Sequence, residues 1–381
     1  MIYRRSIKLP ISALLALAIL SGCGTIQDYL DVRRGYSVTQ VVPLGERPVE
    51  EPILSNHFVL ESAGQSVIGV PQVVFTREED TLSDLARTYG LGYDELIAAN
   101  PNVDPWLPGE QTPVLLPTQY VLPNVPREGI VLNIASKRLF YFPPLVEGQA
   151  QVVKTYPIGI GRVGWETPLG TTTVVSKAMH PHWYVPASVR REHAEKGDPL
   201  PSVIPPGPDN PLGSRVLKLE MPGYLIHGTN QPYGVGMRVS HGCVRLYPED
   251  IEFLYELVSI GESVAIINEP FLLGALDGDI YFESHEPLED DSMSPRERLE
   301  SLFASYSESS AAILDQREED YIRAIATVSN GVPARISGQK TDEIFARARL
   351  VRNTVETNPN APTLSEVREM IADAVREAED L

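Results

Sequence analysis

The residues best suited to chemistry lie in the run Tyr224-Leu-Ile-His227-Gly228-Thr229-Asn230-Gln-Pro-Tyr233-Gly-Val-Gly236-Met-Arg238-Val-Ser240-His241-Gly242-Cys243-Val-Arg245-Leu-Tyr247. The pattern predicts a strand that delivers His227 to a glycine turn, then a Gly-rich loop, then a cysteine close to the start of a helix. A thiol attacks carbon only as its thiolate, so a cysteine nucleophile needs an imidazole to take its proton, or clustered backbone N–H groups to lower its pKa. His227 and His241 are the candidate imidazoles. Glycines allow backbone amides to approach the oxygen on which negative charge develops in acyl transfer. Acyl transfer through a thioester is the chemistry these residue types suit.

Together these residues resemble the signature of the L,D-transpeptidase (YkuD-like) catalytic family: His-Gly, a short Gly-rich loop, Ser-His-Gly-Cys, and Arg or Asn two positions later. The resemblance runs over residues 128–268, through Gly159-Ile-Gly161, Trp165-Glu-Thr-Pro168-Leu-Gly170, Trp183-Tyr-Val-Pro186 and the stretch from Pro205 to Gly213. Carried over position by position, it implies Cys243 as nucleophile and His227 as general base, with the Gly228 carbonyl orienting the imidazole. It implies His241 as a hydrogen-bonding residue that shapes the site, and the amides of Gly242 and Cys243 as oxyanion donors. Arg245 would hold a substrate carboxylate through its planar fork, with Tyr233 and Ser240 lining the groove.

The activity so implied is attack on the L,D amide between residues three and four of a peptidoglycan tetrapeptide stem. The acyl group would pass to the side-chain amine of another stem, forming a 3–3 crosslink, or to a lysine of an outer-membrane lipoprotein. Hydrolysis of the same bond, and a non-catalytic wall-binding scaffold, are the competing readings. Neither a metal nor a cofactor is called for: His180 and His182 flank Pro181, but no cysteine or further histidine follows at a usual ligand interval. Arg190 and Arg191 are two adjacent cations placed to face anionic stems, or to lie on a solvated helix face.

The elements that must position these residues read as mainly β with some α. Strand-like runs cover Ile130 to Ile134, Leu139 to Phe142, Val152 to Ile158, Thr171 to Ser176, Arg215 to Leu219, Tyr224 to Ile226 and Val264 to Ile267. One helix, Pro248 to Val258, carries apolar residues at Ile251, Leu254, Tyr255 and Val258. A β-sandwich or open barrel with one helix is expected over residues 128–268.

Upstream, Val73 begins a strand, Leu82, Leu85, Ala86 and Tyr89 share a helix face ending at Gly90, and a second helix spans Tyr93 to Ala99 before a closing strand from Thr112 to Leu116. This strand–helix–helix–strand unit, residues 70–118, resembles a LysM module in Asp80-Thr81-Leu82, Leu85-Ala86, Tyr89-Gly90, Ala99-Asn100-Pro101, Gly109 and Leu116-Pro117. That resemblance implies binding of peptidoglycan amino sugars. Residues 23–69 read as a tether or irregular segment, and residues 269–381 as an acidic extension, helical or partly disordered, with helices near Pro295–Leu314, Lys340–Asn353 and Leu364–Glu379.

At the amino terminus Arg4, Arg5 and Lys8 precede an apolar run from Ile11 to Leu20 and then Leu20-Ser-Gly-Cys23. These ten residues, nine of them apolar, reach about 15 Å as a helix, half a bilayer core, so the pattern is that of a signal peptide, residues 1–22. It resembles a bacterial lipobox, which implies lipidation of Cys23. Glycine at position 24, by resemblance to lipoprotein sorting, favours the outer membrane, with the body in the periplasm. The 381 residues carry a formal charge of −19, which disfavours a nucleic-acid partner. Cleavage would remove three cations and no acid, so membrane residence would rest on acyl chains rather than basic residues.

Overall fold

The computed structural model describes residues 47–53, 56–309, 314–336 and 344–356. The expected signal peptide, the lipidation position Cys23, the tether up to residue 46 and the helix Leu364–Glu379 lie outside the described residues.

The strands Gly129–Asn133 and Arg138–Phe142 are buried at every position because both faces of their sheet are covered. Successive side chains in a strand point to opposite faces. Ile130, Leu132, Leu139 and Tyr141 therefore enter a core closed by Ile251 and Leu254 of the helix Pro248–Leu257. Val131, Phe140 and Phe142 enter a second core, shared with Leu82, Leu85 and Leu96 of the upstream unit.

The sheet has nine strands, in the order His57–Val59, Val152–Pro157, Arg138–Phe142, Gly129–Asn133, Ser263–Ile267, Gly170–Met179, Arg215–Leu219, Leu225–His227 and Val244–Arg245. Two neighbouring pairs are parallel, Gly129–Asn133 with Ser263–Ile267 and Leu225–His227 with Val244–Arg245. The architecture is mainly β with few helices.

The upstream unit has the anticipated order. Gln72–Phe75 pairs antiparallel with Pro113–Leu116, and the helices Leu82–Thr88 and Tyr93–Ala99 lie between them. The Thr81 side chain caps the first helix by accepting from the Asp84 amide. Asn100 ties the second helix to the closing strand, donating to the carbonyls of Leu96 and Leu115 and accepting from the Leu115 amide.

Four expectations need correction. Residues 47–69 are not an irregular tether: His57–Val59 extends the central sheet by pairing with Val152–Lys154, and Val67–Gly69 pairs with Gln119–Val121. The residues after 268 are not merely an acidic helical tail. Phe271–Leu276 and Asp279–Ser284 form a hairpin joined by Ala334–Arg335, and Phe271, Leu273 and Phe282 pack against Leu299 and Phe303 of the helix Pro295–Ser309 and Ile322 of the helix Gln316–Ile325. The expected helix Lys340–Asn353 reduces, among the described residues, to Ile344–Arg347, because Arg349–Leu350 is recruited as a parallel strand beside Gln72–Val73. The catalytic domain also holds a helix beyond the one anticipated, Ala187–Glu195.

Candidate active site

The expected nucleophile and base, Cys243 and His227, sit at the edge of the central sheet. In the parallel pair, Ile226 lies opposite Val244 and His227 opposite Arg245. Ile226 and Val244 are core residues, so His227 and Arg245 project from the other face, the one that farther along carries the upstream unit. Extending the register back by one residue sets Cys243 opposite Leu225. With strands about 4.8 Å apart and a rise of about 3.3 Å per residue, the Cα atoms of His227 and Cys243 are roughly 8 Å apart. The fold thus brings together two groups separated by sixteen positions in sequence.

His227 is only 3% exposed, and its Nδ1 lies 2.6 Å from the Gly228 carbonyl oxygen. A carbonyl can only accept, so Nδ1 carries the proton and Nε2 keeps its lone pair. Burial first, then the nearby Arg245 charge, pull the His227 pKa down to about 3, against a smaller upward effect of the Gly228 bond. The Cys243 thiol donates to the Gly223 carbonyl at 3.6 Å, and burial pushes its pKa up, opposed by a Leu225 backbone hydrogen bond and by Arg245. The directions of these shifts make both the thiol and the imidazole neutral at rest.

Arg245 is largely desolvated, which lowers its pKa, and its buried Nε has no hydrogen-bond partner. Among the described residues it forms no ion pair, which leaves its guanidinium available to a substrate carboxylate. Tyr233 stands 63% exposed on the short 3₁₀ turn Pro232–Gly234, at the rim of the loop.

Ser240 does not line the groove. It is 1% exposed, donates to the Cys243 carbonyl at 2.5 Å and accepts from the Gly242 amide at 3.2 Å, so it braces the turn that presents the thiol. Gly242, at φ +98°, adopts a conformation that favours glycine, and its amide, one of the two expected oxyanion donors, is engaged by Ser240 in this resting arrangement.

His241 faces a cluster that sequence reasoning missed. Its Nε2 is 3.0 Å from Glu192 Oε2 and 3.1 Å from an Arg162 nitrogen; one ring nitrogen cannot both donate and accept, so it donates to the carboxylate. Lys196 and Arg162 also bond Glu192 and bring its pKa down to about 2. Burial lowers the pKa of His241, with Glu192 acting upward. The Trp165 ring meets the His241 ring edge-on at 4.8 Å.

A family model described as L,D-transpeptidase catalytic domain matches residues 127–266, a span that contains the whole constellation. "Probable L,D-transpeptidase YcfS" of Escherichia coli (strain K12) is 37% identical over 295 residues, covering 75% of this chain and 89% of that protein. The chain belongs to the L,D-transpeptidase family. "Probable L,D-transpeptidase YbiS" of the same strain is 43% identical over 235 residues, 61% of this chain and 75% of its own length. "Probable L,D-transpeptidase ErfK/SrfK" of Salmonella typhimurium is 39% identical over 239 residues, 62% of this chain and 76% of that one. Within this L,D-transpeptidase, Cys243 is the cysteine of the catalytic domain, and the sheet edge supplies it with an imidazole in the tautomer that can act as base.

Proposed function

We propose that this L,D-transpeptidase acts on peptidoglycan tetrapeptide stems in two steps. Cys243 Sγ bonds to the carbonyl carbon of stem residue three while His227 Nε2 takes the thiol proton. The C–N bond to residue four then breaks, the imidazolium returns its proton to the departing amine, and a terminal amino acid leaves. In the second step an acceptor amine attacks the thioester, His227 takes the amine's excess proton, and the sulfur departs with it as thiol. One amide is exchanged for another, so no outside source of energy is required. Arg245, whose buried Nε has no hydrogen-bond partner among the described residues, suits the carboxylate of the donor stem.

The observation that carries this reading is the 2.6 Å bond from His227 Nδ1 to the Gly228 carbonyl, on the strand beside the one that Cys243 precedes. Incubating the protein with a tetrapeptide stem and an amine acceptor should release the fourth residue and give the transfer product, detected by mass. Cys243→Ala should give neither. Tripeptide in place of the transfer product would make the enzyme a hydrolase instead.

Two further parts of the reading concern location. The upstream unit, residues 70–118, is proposed to bind glycan as LysM modules do, supported by Trp106, 62% exposed and 6.2 Å from the Tyr93 ring, a surface on which a sugar can stack. Lipid attachment at Cys23 is supported by the residues preceding that cysteine, and a location on the periplasmic side of an outer membrane by the glycine that follows it. The acceptor is then the side-chain amine of another stem or of an outer-membrane lipoprotein.

A further inference from the structure

Residues 285–291 join the strand Asp279–Ser284 to the helix Pro295–Ser309 by way of the catalytic domain. Leu288 packs against the core that holds Ile160, Ile226 and Val244. Asp291 is tied down as well: its carboxylate accepts from Asn268 at 3.1 Å, from the Met293 amide at 3.0 Å and from two Arg298 nitrogens at 3.0 and 2.7 Å. Asp290 lies between these two anchors, so the backbone that carries it is held on both sides.

Asp290 meets Arg238, on the loop between His227 and Cys243. Arg238 Nη2 donates to Asp290 Oδ2 at 2.6 Å, and Arg238 Nε donates to the Gly161 carbonyl at 3.0 Å. A guanidinium is planar with its donors in fixed directions, so holding one nitrogen orients the others. The Arg238 side chain is 14% exposed and its Nη1 is buried with no hydrogen-bond partner, so among the described residues Asp290 is the carboxylate that compensates this charge. The hydrogen bond from Arg238 holds the Asp290 carboxyl below the usual carboxylate range, which keeps the pair charged at neutral pH; Glu166 is the other carboxyl group beside it.

Gly161 carries the effect of this pair to Cys243. The strand Ile160–Gly161 runs parallel to Arg238–Ser240, and the Arg162 amide donates to the Ser240 carbonyl at 3.1 Å. A Cβ on Gly161 would stand 3.0 Å from Gly242 Cα, so the two backbones touch one residue from Cys243. The Gly161 amide donates to the Thr167 hydroxyl at 3.0 Å, and that hydroxyl donates to the Gly242 carbonyl at 3.0 Å. Ser240 bonds both Gly242 and Cys243 from the other strand. The turn that presents the thiol thus rests on two short strands, and the Arg238 side chain ties one to the other.

We propose that Asp290 is a positioning residue for acyl transfer: by fixing the Arg238 guanidinium it locks Arg238–Ser240 to Gly161, and so holds the Gly242–Cys243 turn in the geometry that attack on the substrate carbonyl requires. The chain after residue 268 then completes the site from outside the catalytic domain. The inference rests on the transpeptidase reading above and adds to it what sets the turn.

The test uses the full chain and a tetrapeptide stem in single-turnover acylation, followed by intact-protein mass at several donor concentrations. The amplitude reports the folded fraction separately from the rate. Asp290→Asn keeps the shape of the side chain and removes its charge. It should lower the saturating rate on the order of tenfold while the half-saturating donor concentration stays within about twofold, since the misplaced turn affects the chemical step and not donor binding. Arg238→Lys supplies one nitrogen where two are used and should slow acylation similarly. The double variant should be no slower than the slower single variant, because both changes break one link. Ile322→Val thins the extension's own core without touching residues 285–291 and should keep the wild-type rate. Wild-type rate in Asp290→Asn, a loss confined to the half-saturating concentration, losses that multiply in the double variant, or an equal loss in Ile322→Val would each overturn the assignment while the thioester chemistry stands. A wild-type protein that forms no thioester would instead overturn the transpeptidase reading, and the assignment with it.

Discussion

Gly92 and Gly236 meet backbone to backbone where the upstream helical unit touches the loop that leads from His227 to Cys243. A Cβ on Gly236 would lie 2.3 Å from Gly92 Cα, and a Cβ on Gly92 would lie 2.8 Å from Gly236 Cα. The Tyr93 amide donates to the Val235 carbonyl at 3.2 Å, the Tyr247 hydroxyl donates to the Leu91 carbonyl at 3.0 Å, and Arg87 pairs with Glu249. The upstream unit is therefore also part of the frame that holds the catalytic loop.

Gly236→Ala is expected to displace that loop. The site demands both absence of a side chain and a φ of +85°, so alanine there is strained in two independent ways. Misplacing a nucleophile by about 1 Å costs on the order of 100-fold in rate. Turnover of the stem should fall at least tenfold with the far-ultraviolet circular dichroism spectrum retained. Wild-type turnover in this variant would show that the contact does not position the loop.

The neutral resting pair predicts an unusual thiol titration. Burial raises the Cys243 pKa, so the thiolate appears only above the ordinary thiol range and is lost as pH falls through that raised value. His227, held down to about 3, is already uncharged across the neutral range and cannot stabilise a thiolate as imidazolium. Alkylation of the free enzyme by iodoacetamide should thus rise with pH through a single inflection on the alkaline side. A plateau of reactivity between pH 4 and 7 would reveal a preformed ion pair and contradict this account.

Asp250 sets up a second pH effect. Burial, reinforced by Glu249 and opposed by Arg138 and Arg87, raises its pKa to about 7, and its buried Oδ2 has no hydrogen-bond partner. Between pH 4 and 7 the folded protein holds this proton more tightly than the unfolded chain, so its contribution to stability falls as pH rises through that window. His227 acts in the opposite sense, since its depressed folded pKa means that stability is lost as pH falls from about 6.5 towards 3. The two largely cancel in the wild-type protein. Asp250→Asn should raise stability by roughly 2 kcal/mol at pH 8 and unmask a steady gain from pH 4 to 6.5. Chemical denaturation at several pH values reads this directly; equal pH slopes in variant and parent would be incompatible with it.

Much of the candidate site was legible in sequence because its parts are local. His227-Gly228 and Ser240–Arg245 each fall on consecutive positions, and the helix from Pro248 shows its apolar stripe and its proline start. The Glu192 cluster was not legible. Its helix reads Ala-Ser-Val-Arg-Arg-Glu-His-Ala-Glu with Val189 its one buried residue, so it carries no apolar stripe, and a glutamate four residues before a lysine looks like an ordinary surface pair. The strands within residues 47–69 and within the extension escaped for another reason: they find partners far away in sequence. His57 pairs with Lys154, and Glu50 bridges to Val351. Periodicity within a short segment carries no information about such partners.

A buried ion pair joins the upstream unit to the sheet. Arg138, 2% exposed, meets Glu95 Oε2 at 2.6 Å and lies 4.1 Å from the centre of the Tyr120 ring, while the same carboxylate oxygen accepts from the Gly92 amide. Removing one member of such a pair leaves the other charge without compensation. Glu95→Gln should cost about 3–5 kcal/mol of stability, whereas replacing Glu95 and Arg138 together by apolar residues of similar volume should recover most of that loss. A double-mutant cycle in urea measures the coupling, and additive losses would show that the two residues act independently.

The extension after residue 268 covers an edge of the upstream unit. Ile344, Phe345, Ala348 and Leu350 pack with Val73, Ala99 and Leu115, and Arg349–Leu350 pairs alongside Gln72–Val73. Without that cover, the strand Gln72–Phe75 would present unpaired backbone groups and a hydrophobic face to water. Phe345→Ala removes a ring that is only 2% exposed, a change that typically costs about 3–5 kcal/mol in a well-packed core. Because the packing is confined to one side of the upstream unit, the loss should appear as local opening before global unfolding. Hydrogen exchange should therefore speed up first in residues 72–75 and 113–116, while amides of the strand Gly129–Asn133, inside the central sheet, stay protected. Uniform acceleration across both regions would mean that the extension and the catalytic sheet unfold as one cooperative unit.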